Sequence, residues 1–494
     1  MNILLITTDQ QRWDTVGRSN PAIRTPHLDA LADDGILFER AYTVNPVCTP
    51  ARASMLSGQY PSRHGCWNVG ASLPGDYRPT LSHTLSAAGY FTGVLGKAHF
   101  RACLEPGSFE AAPHIHDEAF FRQWNGPYHG FEHARLVIGH TSEAHACGMH
   151  YGVWLRDHGV DLEKYFGRHD YMHVGPWDLP EEYHGSRWVA DETIAAIDLA
   201  GAAGKPFFLW ASFQDPHNPL MAPEPWASMY DPAEIPPPVA ADESVAGKPP
   251  FYAALMEGRQ YGDDPELQPE GWSDCRIRPD ASAYDVARAR AMYYGMVSLV
   301  DRHVGRIIEA LHERGLYDDT LIVFTTDHGD YLGDHGLWGK GLPCYDGMQK
   351  IPFIVRHPGC RIRGARSTAL QSQVDIPATA LRAAGCEVPF GMQGIDQTDA
   401  WLSADAAVRT WALVEARPAA TPFQQLTLVT DRHKLAVYHG RDYGELYDLE
   451  SDPEQRRNRF DDPQYRAQRC SLLRMLIDAR MECDGVLRPR PVPA

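Results

Sequence analysis

Two segments far apart in the chain end alike. ILLITTDQ (residues 3–10) and LIVFTTDHG (residues 321–329) are each an apolar run, then Thr-Thr-Asp, then a side chain able to coordinate or to hydrogen-bond. Runs of that length read as buried strands. In α/β sheets, sites form outside the carboxyl ends of strands, which would place Asp9, Gln10, Asp327 and His328 on one rim. Two carboxylates converging there repel unless a cation or a proton lies between them. Oxygen ligands with one amide or imidazole suit Ca2+, Mg2+ or Mn2+ better than zinc. Taken singly, each aspartate reads equally as the cap of the turn after its strand. The matched pair is what points to a metal.

NPVCTPARASMLSG (residues 45–58) adds a cysteine just before a short apolar helix, with Pro50 in its first turn and Gly58 just past its end. The unpaired N–H groups and the dipole of such a terminus favour negative charge. Cys48 is a candidate nucleophile, metal ligand, packed thiol or precursor of another group. Arg52, one turn later, suits bidentate capture of an anion. GYFTGVLGKAHF ends a strand with Lys97 and His99, SFQDPHNPL puts His217 past another, and GDHGLWGKG carries Lys340 shortly after Asp327. Alone, each is a surface lysine or a capping histidine. Gathered on one rim with a cation, they would hold a tetrahedral oxyanion.

Positioning these groups takes a sheet. Strand-like runs alternate with helical patterns over the first 400 residues: TPHLDALADDG as a helix with Thr25 as N-cap and Gly35 as terminator, LSHTLSAAGY as a helix, KPFFLWASF as a strand, and 283–314 as a long helix. This predicts an α/β fold with a large mixed, mostly parallel sheet sandwiched by helices. Two Pro-, Gly-, His- and Trp-rich stretches, 101–185 and 215–280, read as insertions that wall the site. From about 405, short strands and a helix near 463–482 predict a small C-terminal antiparallel sheet with one covering helix. The chain thus divides into a catalytic domain, 1–400, and a subdomain, 405–494.

With 494 residues, 44% hydrophobic and 22% charged, the composition is that of a globular protein with a large core. A net charge of −18 argues against nucleic acid and against global steering of an anionic substrate, so any anion site is local. The opening MNILLITTDQ has no signal-peptide pattern and its apolar run is only a strand long, so a soluble, cytoplasmic protein without membrane association is expected. Ten scattered cysteines, Cys66, Cys103, Cys386 and Cys470 among them, read as reduced packed thiols. HTSEAHACGMH (His140, His145, Cys147, His150) has no zinc spacing. With Trp154, Trp177 and Trp188 it is expected to line the substrate pocket or a homo-oligomer contact.

These motifs together resemble the sulfatase family within the alkaline-phosphatase-like superfamily. CTPAR matches the family's C-x-P-x-R signature, and ASMLSG continues it with Ser57 as a variant. GYFTGVLGKAH resembles the second signature, residues 293–341 the third metal-binding block, and QVDIPATALRAAG and LYDLESDPEQRRN later landmarks, in family order from residue 2 to about 460.

The resemblance implies that Cys48 is oxidised to formylglycine by a formylglycine-generating enzyme, with Pro50 and Arg52 in the recognition sequence. Its hydrate would attack sulfur, and the second hydroxyl would expel sulfate by re-forming the aldehyde. It further implies that Asp9, Asp327, His328 and the modified Cys48 bind one divalent cation, with Ca2+ ahead of Mn2+ or Mg2+. Gln10 departs from the paired aspartates of many members and is carried over as a further ligand or hydrogen-bond donor. Asp327 would also accept the nucleophile's proton. Arg52 would fix the nucleophile, Lys97 and Lys340 the sulfate oxygens, His217 or Lys340 would assist the leaving alcohol, and His99 would be the base that releases sulfate. The expected activity is hydrolysis of small organic sulfate monoesters. Rivals are a phosphonate monoester or phosphodiester hydrolase on the same scaffold, an inactive metal-binding relative, and a thiol enzyme using unmodified Cys48.

Overall fold

The computed structural model describes residues 1–484 except 104, 106, 139–146, 168, 170, 241–246, 253–275, 278–280 and 418–422. Its main elements in chain order are β1 (Asn2–Thr8), α1 (Pro26–Asp33), β2 (Ile36–Phe38), α2 (Cys48–Ser57), β3 (Phe91–Lys97), β4 (His133–Val137), α3 (Gly185–Ala202), β5 (Phe207–Ser212), α4 (Ala283–Glu313), β6 (Thr320–Thr326), β7 (Ile354–Arg356), β8 (Ala365–Ser367), α5 (Asp375–Ala383), β9 (Ala412–Ala416), β10 (Gln425–Val429), β11 (His433–Tyr438), β12 (Gly444–Asp448) and α6 (Arg466–Asp484).

Eight strands form one sheet in the order β8-β2-β7-β6-β1-β5-β3-β4. The central strands run parallel, while β7 is antiparallel to both β6 and β2. The sheet is therefore mixed and mostly parallel. β1 lies at its centre with every residue buried, as an unbroken apolar run requires. Strand alternation sends Ile3 and Leu5 to one face and Leu4 and Ile6 to the other. The first pair packs with Ala53, Met55 and Leu56 of α2 and with Ile376 and Leu381 of α5. The second packs with Leu28 and Leu31 of α1, Val189 and Ile197 of α3, and Val300 and Ile307 of α4. Each such buried aliphatic side chain contributes about 1.5–3 kcal/mol, which is what holds helices on both faces.

A separate antiparallel sheet follows in the order β9-β10-β11-β12. Helix α6 covers it with Leu472, Leu476 and Ala479 against Leu413, Leu428, Leu435 and Leu446. No helix among the described residues is long and apolar enough to cross a membrane.

Three local expectations are corrected. The Thr25 hydroxyl does not cap α1; it accepts the N–H of Gly17 at 2.7 Å. Gly35 does not terminate that helix through a left-handed turn. It lets the chain pass β7, where a Cβ would stand 2.3 Å from the Val355 carbonyl. The stretch 101–185 contains β4, the edge strand beside β3. Its HARLV sequence half-exposes His133 and Arg135, a weak apolar signal typical of an edge.

Candidate active site

Strands β1, β6, β3 and β5 all point their carboxyl ends at one place. Asp9 and Gln10 follow β1, Asp327 and His328 follow β6, Lys97 closes β3, and Ser212 closes β5. Helix α2 brings its first residue, Cys48, to the same point, one position further into the helix than its sequence suggests. Gly58 does end α2 in a left-handed conformation at φ +65°, its N–H bonded to the Ser54 carbonyl. All ten residues of α2 are buried, so its polar groups need internal partners.

Arg52 finds four. Its Nε donates to Asp327 Oδ2 at 2.8 Å and its Nη2 to Asp9 Oδ2 at 3.3 Å. Its Nη1 donates to the Lys97 carbonyl and to Ser212 Oγ, both at 2.7 Å. One guanidinium thus joins the ends of four strands. Lys97 Nζ reaches Asp9 Oδ2 at 2.6 Å. The backbone before Lys97 passes so close to β5 that a Cβ on Gly96, at φ +104°, would lie 1.9 Å from the Ser212 carbonyl. Only glycine fits there.

Around the Cys48 sulfur stand Lys340 Nζ at 3.0 Å, His328 Nε2 at 3.2 Å and Asp9 Oδ1 at 3.6 Å. Lys340 also meets His217 Nε2 at 2.6 Å. The Nδ1 of His217 faces the Asn218 carbonyl at 3.0 Å and that of His328 the Gly329 carbonyl at 2.8 Å. Each carbonyl accepts a hydrogen bond from Nδ1–H, which in the neutral ring leaves the Nε2 lone pair turned to the site. The structure thus gathers Asp9, Cys48, Arg52, Lys97, His217, Asp327, His328 and Lys340, all buried. His99 follows β3 by two residues; both its ring nitrogens are buried and without a hydrogen-bond partner.

Charge in so dry a place must be compensated. Burial works against the Asp9 carboxylate, but Lys97, His217, Arg52 and Lys340 outweigh it and hold its pKa well below the usual range. Burial, then Lys97 and Arg52, push the His99 imidazole well below its ordinary value, so it is neutral. Burial also opposes charge on His328, but Asp327 and Cys48 prevail and raise it to about 8. A cation at Nε2 would compete with that proton.

The ligand atoms of Asp9, Cys48, Asp327 and His328 lie within 4.8 Å of one another, a grouping that fits a metal ion. Two carboxylates and an imidazole favour a divalent cation over a monovalent one. The Gln10 amide adds to the fit. Its Nε2 donates to Asp330 Oδ2 at 2.5 Å, while its Oε1 is buried with no hydrogen-bond partner.

Sequence reasoning missed Ser212, Asp330 and Gln373. Gln373 donates to the carbonyls of Thr326 and Asp327 at 2.6 and 2.7 Å and so fixes the end of β6. Ser212 ends a strand as Asp9 follows one, and that position was its only signal. The aromatic residues expected to wall the pocket lie elsewhere. Trp177 and Trp188 are core residues packed with Tyr151 and Phe166, and Trp154 lies against the same cluster. His140 and His145 fall outside the described residues. Cys147 is buried beside that core.

His150 is no metal ligand: Nδ1 accepts the N–H of Leu136 at 2.9 Å and Nε2 meets the Trp124 carbonyl at 2.8 Å. Burial lowers its pKa to about 3. A folded-state value below the unfolded one gives stability that is present above about pH 6.5 and lost as pH falls towards 3. The melting temperature is expected to drop between pH 6.5 and 4.5, and His150→Gln, which offers the same acceptor and donor without titrating, to flatten that slope. Equal slopes in both proteins would remove His150 as a contributor.

The family model described as Sulfatase matches residues 1–386, and one described as N-sulphoglucosamine sulphohydrolase, C-terminal, matches residues 333–482. An arylsulfatase of Clostridium perfringens is 29% identical over 489 residues, covering 97% of this chain and 94% of the relative. A choline-sulfatase of Rhizobium meliloti is 26% identical, covering 94% and 83%. Among solved structures, the phosphonate monoester hydrolase of Agrobacterium radiobacter superimposes with a TM-score of 0.78 at 26% identity, covering 99% of this chain and all of the other. Matched over more than three quarters of its length by the family model, the chain belongs to the sulfatase family and is a sulfuric ester hydrolase.

Proposed function

We propose that the protein hydrolyses small organic sulfate monoesters, aryl, alkyl or sugar, to an alcohol and inorganic sulfate. The nucleophile is a formylglycine made from Cys48 by a formylglycine-generating enzyme, and the cofactor is one divalent cation, Ca2+ ahead of Mn2+ or Mg2+. The observation that carries this is the meeting of Asp9, Cys48, Asp327 and His328 within 4.8 Å, enclosed by Arg52, Lys97 and Lys340. Three basic side chains face two carboxylates there, a positive surplus that a divalent cation would enlarge and that suits an anionic ester.

Asp9, Asp327 and His328, with Gln10 as a further oxygen donor, would hold the cation, which supplies a Lewis acid to lower the pKa of the nucleophile and polarise the ester. The hydrated aldehyde supplies an oxygen nucleophile with a second hydroxyl for release of sulfate. Arg52 orders the nucleophile's surroundings through its four contacts. Lys97 and Lys340 bind sulfate oxygens and stabilise the charge that develops on them. Lys340, 2.6 Å from His217, is placed to pass a proton to the leaving alcohol, with His217 as its partner. His99, neutral and unpartnered, is free to take the proton whose loss expels sulfate. The division into a catalytic part, 1–400, and a subdomain, 405–494, and action in the cytoplasm belong to the same proposal.

The mass of the tryptic peptide Ala41–Arg52 tests it. A loss matching conversion of thiol to aldehyde is expected, and an intact cysteine in active enzyme overturns the nucleophile. The likeness to the phosphonate monoester hydrolase favours a second activity on phosphonate monoesters. Catalytic efficiency is expected to be higher on aryl sulfates than on phenyl phosphonates; the reverse order would make the second activity the main one.

A further inference from the structure

Glu110 is a carboxyl only 1% exposed, and none of the roles above uses it. Its Oε1 accepts the N–H of Phe100 at 3.1 Å and the hydroxyl of Tyr128 at 2.5 Å. Its Oε2 is buried and meets no hydrogen-bond partner at bonding distance among the described residues. Burial raises its pKa to about 7 against the pull of those two donors, of Arg52 and of the His99 N–H. A carboxyl buried at such cost calls for an explanation.

The explanation lies one residue before Phe100. His99 has φ +50°, a left-handed conformation that is strained for a residue with a Cβ and persists only where the surroundings enforce it. Its ring cannot supply the enforcement, because neither nitrogen is hydrogen-bonded. The backbone beyond it can. Glu110 takes the Phe100 N–H, Leu73 donates to the Phe100 carbonyl at 2.8 Å, and the Phe100 ring stacks on Tyr128 at 6.2 Å. Glu110 in turn has a firm mount: the adjacent Phe109 packs on Trp124 at 4.8 Å and on Tyr128 at 5.1 Å.

We propose that Glu110, braced by Tyr128, is a positioning residue that holds the His99 backbone in its left-handed conformation and so presents the imidazole to the reacting group. The proposal rests on His99 acting as the base. Glu110 touches no reacting atom. An acceptor oxygen is what the position requires, so glutamine should serve and alanine should not.

The test is a cycle on the mature enzyme, with Glu110→Ala, Glu110→Gln and Tyr128→Phe each made alone and with His99→Ala, and formylglycine content checked by mass. Misplacing a reacting group by about 1 Å costs on the order of 10²-fold. Glu110→Ala is expected to lower kcat at least about tenfold at little-changed KM, and to cost nothing further beside His99→Ala. Glu110→Gln should restore most of the rate. Tyr128→Phe, which keeps the ring packing, should lose several-fold in kcat and carries the test if the alanine variant does not fold. The proposal is overturned by unchanged kcat in Tyr128→Phe and Glu110→Ala, by an equal fractional loss in the His99→Ala background, or by a glutamine variant as poor as alanine. Full turnover in His99→Ala alone would overturn the base assignment itself, and that variant reads it separately.

Discussion

Asp327→Asn is expected to lower kcat/KM for a sulfate ester by about 10²–10³-fold or more. Asp327 Oδ2 accepts from Arg52 Nε at 2.8 Å, and Oδ1 accepts the N–H groups of Gln10 at 3.0 Å and His328 at 2.9 Å. Asparagine keeps the shape but must turn an NH2 towards one of these donors. It also leaves the buried Arg52 with Asp9 as its only carboxylate partner among the described residues. The proposed cation would lose a charged ligand at the same stroke, so divalent-metal content after dialysis should fall with the rate. Near-wild-type turnover with full metal content would remove Asp327 from the site.

A second large effect lies in the frame. Asp375, first residue of α5, pairs bidentately with Arg409, and both side chains are 2% exposed. Asp375 also accepts the Ile395 N–H and the Gln397 amide, each at 2.9 Å. Asp375→Ala would strand a buried guanidinium and two donors. Breaking a buried pair by deleting one partner costs about 3–5 kcal/mol, whereas replacing both by apolar residues is far less costly. The urea midpoint should therefore fall sharply for Asp375→Ala and recover in Asp375→Leu/Arg409→Met. An unchanged midpoint in the single variant would show that the pair does not hold α5 to the chain entering β9.

The sequence made the central strands legible because ILLIT and LIVFTT are buried on both sides and so are apolar throughout. It hid β4, β7 and β8, where five residues or fewer at or near an edge leave no periodic signal. The residues of the site were legible by type and by their place after strands. Their contacts were not. Nothing in the spacing tells that Arg52 spans four strand ends, that Lys340 rests against His217, or that Gln373 clasps the end of β6, since these join residues 43 to 275 positions apart. Trp177 and Trp188 failed for the opposite reason. Large aromatic residues serve a core or a pocket equally well, and composition alone does not choose.

The depth of Cys48 also bears on when it is reached during synthesis. The residue is fully buried, and His328, one of the groups that cover it, lies 280 positions later in the chain. Ribosomes extend a chain at about 5–20 residues per second, so roughly 15–60 s separate the emergence of the two. A maturation enzyme acting on Cys48 as proposed has that interval and little more. Slower translation between codons 48 and 328 would raise the fraction of active molecules without altering a single residue, and faster refolding after release would lower it.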